Sequence, residues 1–431
     1  MEHGVATAIS PAPPAAPGGR NKTGHDGRLG ARVRRVLDRR LLNAHPRPIA
    51  IALSGGGDSL ALTLIADTWA REAGRDLVIL TVDHRLNAQS GAWTTACATM
   101  AERLGHPFHA LAWTGDKPAG GLPAAARLAR HRLAADAARD VGARVILMGH
   151  TADDRREAAA MRAAGSTVPD PREWAPSPVW PEGRDLFLLR PLLDVRRADL
   201  RVWLTARGEV WIDDPANADP RYARSRARLT DAILPERSDP KPLALAAEAT
   251  EHAGIITLAR ATLRAAAPAD ARRVVALASA CAGGGARRPA SGHIARATDA
   301  LRGEGPVVAT LAGARLEADT TNIHIFREAG EAARGGLAAI DLRPGRAAVW
   351  DGRFDLTADT ACEARRLAGL ARQLPPEQQR ALKEIIAAAR GALPAIVTPE
   401  GAVTCPALTA GNSLVGPRLR AAAGLIDSEP D

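Results

Sequence analysis

Between residues 49 and 148 four short apolar runs alternate with stretches whose apolar residues recur at helical spacing, and this alternation restricts the fold more than any other feature. The runs are Ile49–Leu53, Leu77–Val82, Phe108–Ala112 and Val145–Met148. The spacing predicts helices near 58–73, 92–104 and 123–141, and one from about 152. Short buried strands alternating with helices imply a parallel sheet covered on both faces. Ligands of such sheets bind in the crevice at the carboxyl ends of the strands. Strand ends are therefore the places to search for chemistry.

The first strand ends in Ser54-Gly55-Gly56-Gly57-Asp58-Ser59. Consecutive glycines reach backbone regions closed to other residues and bare several N–H groups together. Set before a helix N-terminus, such a turn forms a nest of donors for phosphate. It differs from the Walker pattern in having no Gly-Lys-Ser/Thr; two hydroxyls and an aspartate suit the pyrophosphate end of ATP with magnesium nearby. A plain strand-to-helix turn is the alternative. The second strand ends in Asp83-His84, which could orient adenosine or metal-bound water, while Asp83 or Asn87 could equally cap a helix. On the third helix Arg127 is a candidate for a phosphate contact, whereas Arg130 and Arg132 fit a solvated face equally well. After the fourth strand come His150, Asp153, Asp154 and Glu157. Asp154 and Glu157 are three apart and share a helix face. They can hold magnesium and an ammonium group, or can simply be acids favoured in a first helical turn. Their place at the same sheet edge as the glycine-rich loop favours the first reading.

A chain of 431 residues exceeds the usual size of one core. The net charge is +9, and only four of the 57 basic residues are lysine. Arginine suits phosphate and base edges, so an anionic partner such as nucleic acid is one reading and genomic base composition the other. Cys97, Cys281, Cys362 and Cys405 form no C-x-x-C pair, which argues against a disulfide framework, a zinc ribbon or an iron–sulfur site. No run approaches the length of a membrane span, and the start lacks the apolar core of a signal peptide, so a cytoplasmic protein is expected. The Pro/Ala/Gly-rich start reads as a disordered leader over residues 1–30. Residues 166–183 are proline-rich and read as an extended loop. From Pro240 to about Leu301 the Ala/Leu/Arg pattern reads as mainly helical. Residues 307–328 alternate like a hairpin, and a further hairpin is expected around Asp351-Gly352.

These residues match a known pattern. Ser54–Ser59 resembles the SGGxDS signature of the PP-loop, or N-type, ATP pyrophosphatases, which cleave ATP between the α- and β-phosphates and adenylate a carbonyl oxygen. The order and spacing of Val82-Asp83-His84, the Arg127 helix, Gly149–Asp154 with Glu157, Arg190-Pro191-Leu192-Leu193, and Asp214–Asn217 with Arg224 and Arg228 resemble the tRNA(Ile)-lysidine synthetase family. The resemblance spans about Arg34 to Arg228. It implies an α/β fold: an adenine nucleotide alpha hydrolase-like parallel-sheet domain (31–235), then a mainly helical tRNA-binding domain (236–334) and a small α+β C-terminal domain (335–431).

The resemblance further implies that ATP activates the C2 carbonyl of the wobble cytidine in a CAU anticodon, after which free L-lysine displaces AMP to give lysidine, which pairs with A rather than G. On it, Ser54, Gly55, Gly56, Gly57, Asp58 and Ser59 bind ATP, with Asp83, His84 and His150 beside the nucleotide. Asp58 and Asp154 hold magnesium, Glu157 grips the lysine amine, and Arg127 and Arg224 contact the adenylated intermediate or the RNA. Three departures stand out: the Gly-rich segment that normally follows the fourth-strand helix is replaced by the Pro-rich loop, and two motifs differ. The family's Asp-Asp-Gln-Ala-Glu-Thr is here Asp153-Asp154-Arg155-Arg156-Glu157-Ala158, and its Arg-Asn-x-Ile-Arg is Arg224-Ser225-Arg226-Ala227-Arg228. A tRNA-binding paralogue with a decayed site is the alternative, and the retained Asp58, Asp154 and Glu157 speak against it. Arg260, Arg272, Arg273, Arg287 and Arg288 could track RNA backbone or be ordinary surface charge. Monomer and homodimer both stay open.

Overall fold

The computed structural model describes residues 22–118, 120–166, 168, 170–177, 183, 185–214, 227, 241–285, 289–409 and 411–430. The described residues fall into two compact units. The first runs from Lys22 to Ser177, resumes at Leu186 and takes in the residues from Asp427 onward; the second extends from Lys241 to Ile426.

The first unit opens with α1 (Lys22–Arg40), then β1 (Ile49–Ala52), α2 (Gly57–Ala73), β2 (Leu77–Asp83), α3 (Ser90–Leu104), β3 (Phe108–Ala112), α4 (Leu122–Asp140), β4 (Val145–Met148) and α5 (Ala152–Ala163). It continues with β5 (Trp174–Pro176), β6 (Phe187–Leu189) and α6 (Arg197–Thr205). The six strands lie in the order β3-β2-β1-β4-β6-β5, all parallel except β5, which pairs antiparallel with β6 at the edge. The order reverses beside β1, so the crevice that such a switch creates opens beside the glycine-rich loop. Ile49, Ile51, Val145 and Leu147 pack with α1, α2 and α6 on one face, while Ala50, Val78, Leu80 and Ile146 pack with the alanines of α4 on the other. With so few aromatics, alanine lets α4 lie close to the strands.

Two expectations need correction here. Helix α1 begins at Lys22, inside the segment read as leader to residue 30. The prolines end at Pro17, and Leu29, Val33 and Leu37 then form a buried stripe at four-residue spacing. The proline-rich segment also supplies strand β5, a place open to proline because an edge strand leaves N–H positions unused. Within that segment, residues 167, 169 and 178–182 lie outside the described residues.

In the second unit, β7 (Thr250–His252), β8 (Ile255–Ala259), β9 (Val307–Leu311), β10 (Ala314–Ala318) and β11 (Asn322–Arg327) form an antiparallel sheet in the order β7-β8-β11-β10-β9. Residues 307–328, expected as a hairpin, form three antiparallel strands, β9–β11. The stretch read as mainly helical does hold helices at Pro268–Ala282 and Ser291–Arg302, but it also contributes β7 and β8. A second sheet joins 340–342, 362–366, 394–397 and 403–404, and the expected hairpin pairs Trp350 with Phe354. Asp351 and Gly352, with φ of 47° and 65°, are the central residues of a primed turn closed by the Arg353 N–H on the Trp350 carbonyl at 2.9 Å. All four cysteines are free thiols. Among the described residues no helix is long and apolar enough to cross a membrane.

Candidate active site

The loop after β1 is a preformed cradle. Gly55 has φ of +80°, a conformation that glycine adopts without strain, and Gly56 in extended backbone leads into α2. The Ser59 hydroxyl closes the loop: it accepts the Ser54 N–H (3.2 Å), lies 3.1 Å from the Ser54 hydroxyl and donates to the Gly56 carbonyl (2.9 Å). Behind the loop the Ile212 N–H donates to the Gly55 carbonyl at 2.9 Å. A Cβ on Gly55 would lie 2.3 Å from Ile212 Cδ1, and one on Gly149 would lie 3.0 Å from the Ser59 backbone. The end of β4 therefore sits directly against the cradle. Gly55→Ala is expected to impose left-handed strain of about 1–2 kcal/mol and weaken nucleotide binding roughly tenfold, measured by calorimetry with the α,β-methylene analogue of ATP.

Helix α5 brings the carboxylates to this loop. Asp154 accepts from the Thr151 N–H (2.8 Å) and Thr151 hydroxyl (3.0 Å), so the first-turn capping role is real. It is not the whole role, because Arg197 at the start of α6 gathers the acids. Its Nε donates to Asp58 at 2.8 Å, Nη1 lies 3.3 Å from Glu157 and Nη2 lies 3.6 Å from Asp154. Its main-chain N–H donates to Asp153 at 2.7 Å. Glu157 is 3% exposed. Burial pushes the Asp58 carboxyl up against the opposing pull of Arg197. Burial also pushes on Asp154, but His150, Arg197 and the Thr151 bonds prevail and hold it below the ordinary carboxylate range. The guanidinium of Arg197 gains more from Asp58, Asp154 and Glu157 than it loses on burial, and its affinity for its proton rises. Arg197 follows no sequence motif that ties it to Asp58; its position just past the β6 strand end was the available signal.

A cationic group flanks the acids. Arg190 donates from Nε to His150 Nδ1 at 3.3 Å and from Nη1 to the Arg172 carbonyl at 2.8 Å. Burial and Arg127 lower its pKa to about 10. Burial, then Arg127, Arg130, Arg190 and His150, lower that of His131 to about 2. Arg127 thus belongs with His131, His150 and Arg190. His84 is lowered to about 4 by burial and Arg130; its ring meets Trp113 edge-on at 6.1 Å, and its Nδ1 is buried without a hydrogen-bond partner among the described residues. Asp83 accepts the Arg85 N–H (2.7 Å) and Asn87 the Gln89 N–H (2.9 Å); both amides precede α3, and among the described residues no side chain caps that helix. The substituted Arg155 is buried and lies 3.4 Å from Asp194. Arg224 and Arg228 lie outside the described residues, as do Arg287 and Arg288.

The buried histidines set a pH dependence. The unfolded chain takes up a proton near pH 6.5, whereas folded His131 stays neutral down to about 2 and His84 down to about 4. Stability is therefore lost as pH falls below 6.5 and continues to fall towards those values. Between pH 6.5 and 5 the loss from a buried histidine is about 2 kcal/mol, and His131→Gln is expected to flatten it in thermal melts.

A phosphate cradle before a helix N-terminus, paired carboxylates and a cationic flank at one sheet edge define an ATP-using enzyme of the PP-loop class, and a PP-loop domain family model matches residues 29–236. The tRNA(Ile)-lysidine synthase of Caulobacter vibrioides (strain ATCC 19089 / CIP 103742 / CB 15) is 47% identical over 412 residues, covering 92% of this chain and 98% of that protein. That of Rhizobium meliloti (strain 1021) is 33% identical over 338 residues, covering 72% and 73%. The chain belongs to the tRNA(Ile)-lysidine synthase family.

Proposed function

We propose that the strand-end crevice of the first unit makes lysidine on tRNA(Ile), joining free L-lysine to C2 of the wobble cytidine of a CAU anticodon at the expense of ATP, which leaves as AMP and pyrophosphate. The observation that carries this is the gathering of Asp58, Asp154 and Glu157 around one cation at the mouth of the glycine-rich loop. The retained carboxylates speak against a decayed paralogue.

The chemistry follows from the parts. A cytosine C2 carbonyl is a poor electrophile, and adenylating its oxygen creates a leaving group. The amides of Ser54–Ser59 and the α2 terminus hold the β- and γ-phosphates. Arg127 with the His150–Arg190 pair faces the charge that develops as the α-phosphate is transferred. Glu157 draws in the ammonium of lysine and orients its nitrogen towards C2; the amine must lose a proton before it attacks. The anticodon loop is single-stranded, so presenting one base costs little.

Magnesium fits the carboxylates. Among the described residues no cage of three or more ligating side chains exists, but magnesium takes only one or two carboxylates beside substrate phosphates. A guanidinium bound by both Asp58 and Asp154 shows that a cation is accommodated between them. These two residues would hold the ion, which when bound neutralises the phosphates. Arg224 is assigned to the intermediate or the RNA on resemblance. Arg260 is not an RNA contact: it is fully buried and donates to the carbonyls of Leu301 (2.9 Å) and Gly305 (2.7 Å). Arg273 donates to the Lys241 carbonyl at 2.9 Å. A reaction that uses tRNA, ATP and free lysine supports a cytoplasmic location.

The test is AMP release from labelled ATP with lysine and unmodified tRNA(Ile) carrying CAU, each omitted in turn. AMP that requires both, with labelled lysine entering the tRNA, is the expected result. Tight tRNA binding without turnover would overturn it in favour of the paralogue.

A further inference from the structure

Arg197 is a strange partner for residues assigned to magnesium and to a lysine amine. One guanidinium occupies Asp58, Asp154 and Glu157 together, at 2.8, 3.6 and 3.3 Å. The reaction brings further cations to the same three carboxylates. They cannot all be served at contact distance, because like charges crowded into a partly buried site repel strongly. The backbone of Arg197 is fixed: its N–H is held by Asp153 at 2.7 Å, and α6 is anchored in the core through Leu200, Trp203 and Leu204. Its side chain is less confined, at 21% exposure against 3% for Glu157. A long arm on a fixed base, at the mouth of a phosphate cradle, can exchange carboxylate for phosphate without moving the helix.

We propose that Arg197 is a displaceable internal counter-ion: it competes with metal and amine for Asp58, Asp154 and Glu157, and passes to a phosphate oxygen of the nucleotide when those cations take the carboxylates. This rests on reading the crevice as an ATP site. Arg197 thereby couples the ligands. While it holds the acids, metal alone binds poorly. Metal arriving with nucleotide gives the guanidinium a second anion to hold, so the exchange costs little net charge separation. Guanidinium suits both roles, since its planar fork pairs with carboxylate and phosphate alike.

The proposal makes two predictions of opposite sign for Arg197→Ala. Without nucleotide, binding of Mn2+ followed by electron paramagnetic resonance should tighten about tenfold, because the internal competitor is gone. Binding of the α,β-methylene analogue of ATP with Mg2+, followed by calorimetry, should weaken about tenfold, because a phosphate contact is gone. Arg197→Gln should show both changes and serves if the alanine variant fails to fold. Adding Asp58→Asn to either variant should abolish the gain in Mn2+ affinity. A purely structural ion-pair network predicts unchanged or weaker Mn2+ binding, since the carboxylates would lose their organiser, and that result would overturn the proposal. Neither measurement uses tRNA or lysine, so a failure here is separate from a failure of lysidine synthesis, which the wild-type AMP assay reads.

Discussion

Glu157→Gln is expected to raise the KM for lysine about 100-fold while tRNA adenylation persists. Glutamine keeps the shape of the side chain, which matters because Glu157 is 3% exposed and any loss of volume would disturb α5. What it removes is the charge. A charge-assisted contact in a partly desolvated site contributes roughly 2–3 kcal/mol, and each 1.4 kcal/mol is tenfold in affinity. On the proposed reading, adenylation depends on the cradle, Asp58, Asp154 and the Arg127–His150–Arg190 group, none of which is replaced. With ATP labelled at the α-phosphate, the variant should therefore accumulate adenylated tRNA that saturating lysine discharges. An unchanged lysine KM, or equal loss of adenylation and lysine transfer, would remove Glu157 from the amine site. Arg155 fits the expectation: it stands two positions before Glu157 on α5, where side chains do not face one another, and lies 3.4 Å from Asp194.

The sequence was legible where local chemistry and tertiary position agree. All four runs between residues 49 and 148 are strands; those of β1, β2 and β4 are apolar because both sheet faces are covered, while β3 lies at the edge and is partly exposed. The Asp351-Gly352 turn was legible for a similar reason, since both residues tolerate positive φ. Strands β7 and β8 were not. They are joined at Ala253-Gly254 with φ of 51° and 79°, and alanine gives no hint of such a turn. Their Ala- and Leu-rich surroundings suggest helix, and only pairing of β8 with β11 decides otherwise. The site divides in the same way. Asp154 and Glu157 are three residues apart, so helical geometry joins them on paper. Arg197 lies 139 residues from Asp58 and meets it through the packing of α6 against the core. No spacing rule reaches that far.

Glu429→Ala is expected to destabilise the first unit by about 3–5 kcal/mol, the cost of leaving a buried charge without its partner. Arg75 and Glu429 have fully buried side chains. Both Arg75 terminal nitrogens donate to Glu429 at 2.8 Å, and Glu429 also accepts the Leu42 N–H at 3.1 Å. The Glu429 N–H donates to the Arg40 carbonyl at 2.7 Å, and Arg75 itself donates to the Arg47 carbonyl at 2.9 Å. Residues 427–430 thus close over the turn between α1 and β1, the strand that delivers Ser54–Ser59. At roughly 2–4 °C per kcal/mol for a domain of this size, the first thermal transition should fall by about 10 °C. Glu429→Gln should cost less, because the amide oxygen still accepts one of the Arg75 bonds while the charge is lost. The double replacement of Arg75 and Glu429 by apolar residues should recover much of the loss, since it removes the stranded charge along with its partner. Such recovery would distinguish an ion pair tolerated by the fold from one that positions the cradle. If the double variant regains its melting temperature but not its affinity for the α,β-methylene analogue of ATP, the pair acts on the loop through β1 as well as on stability.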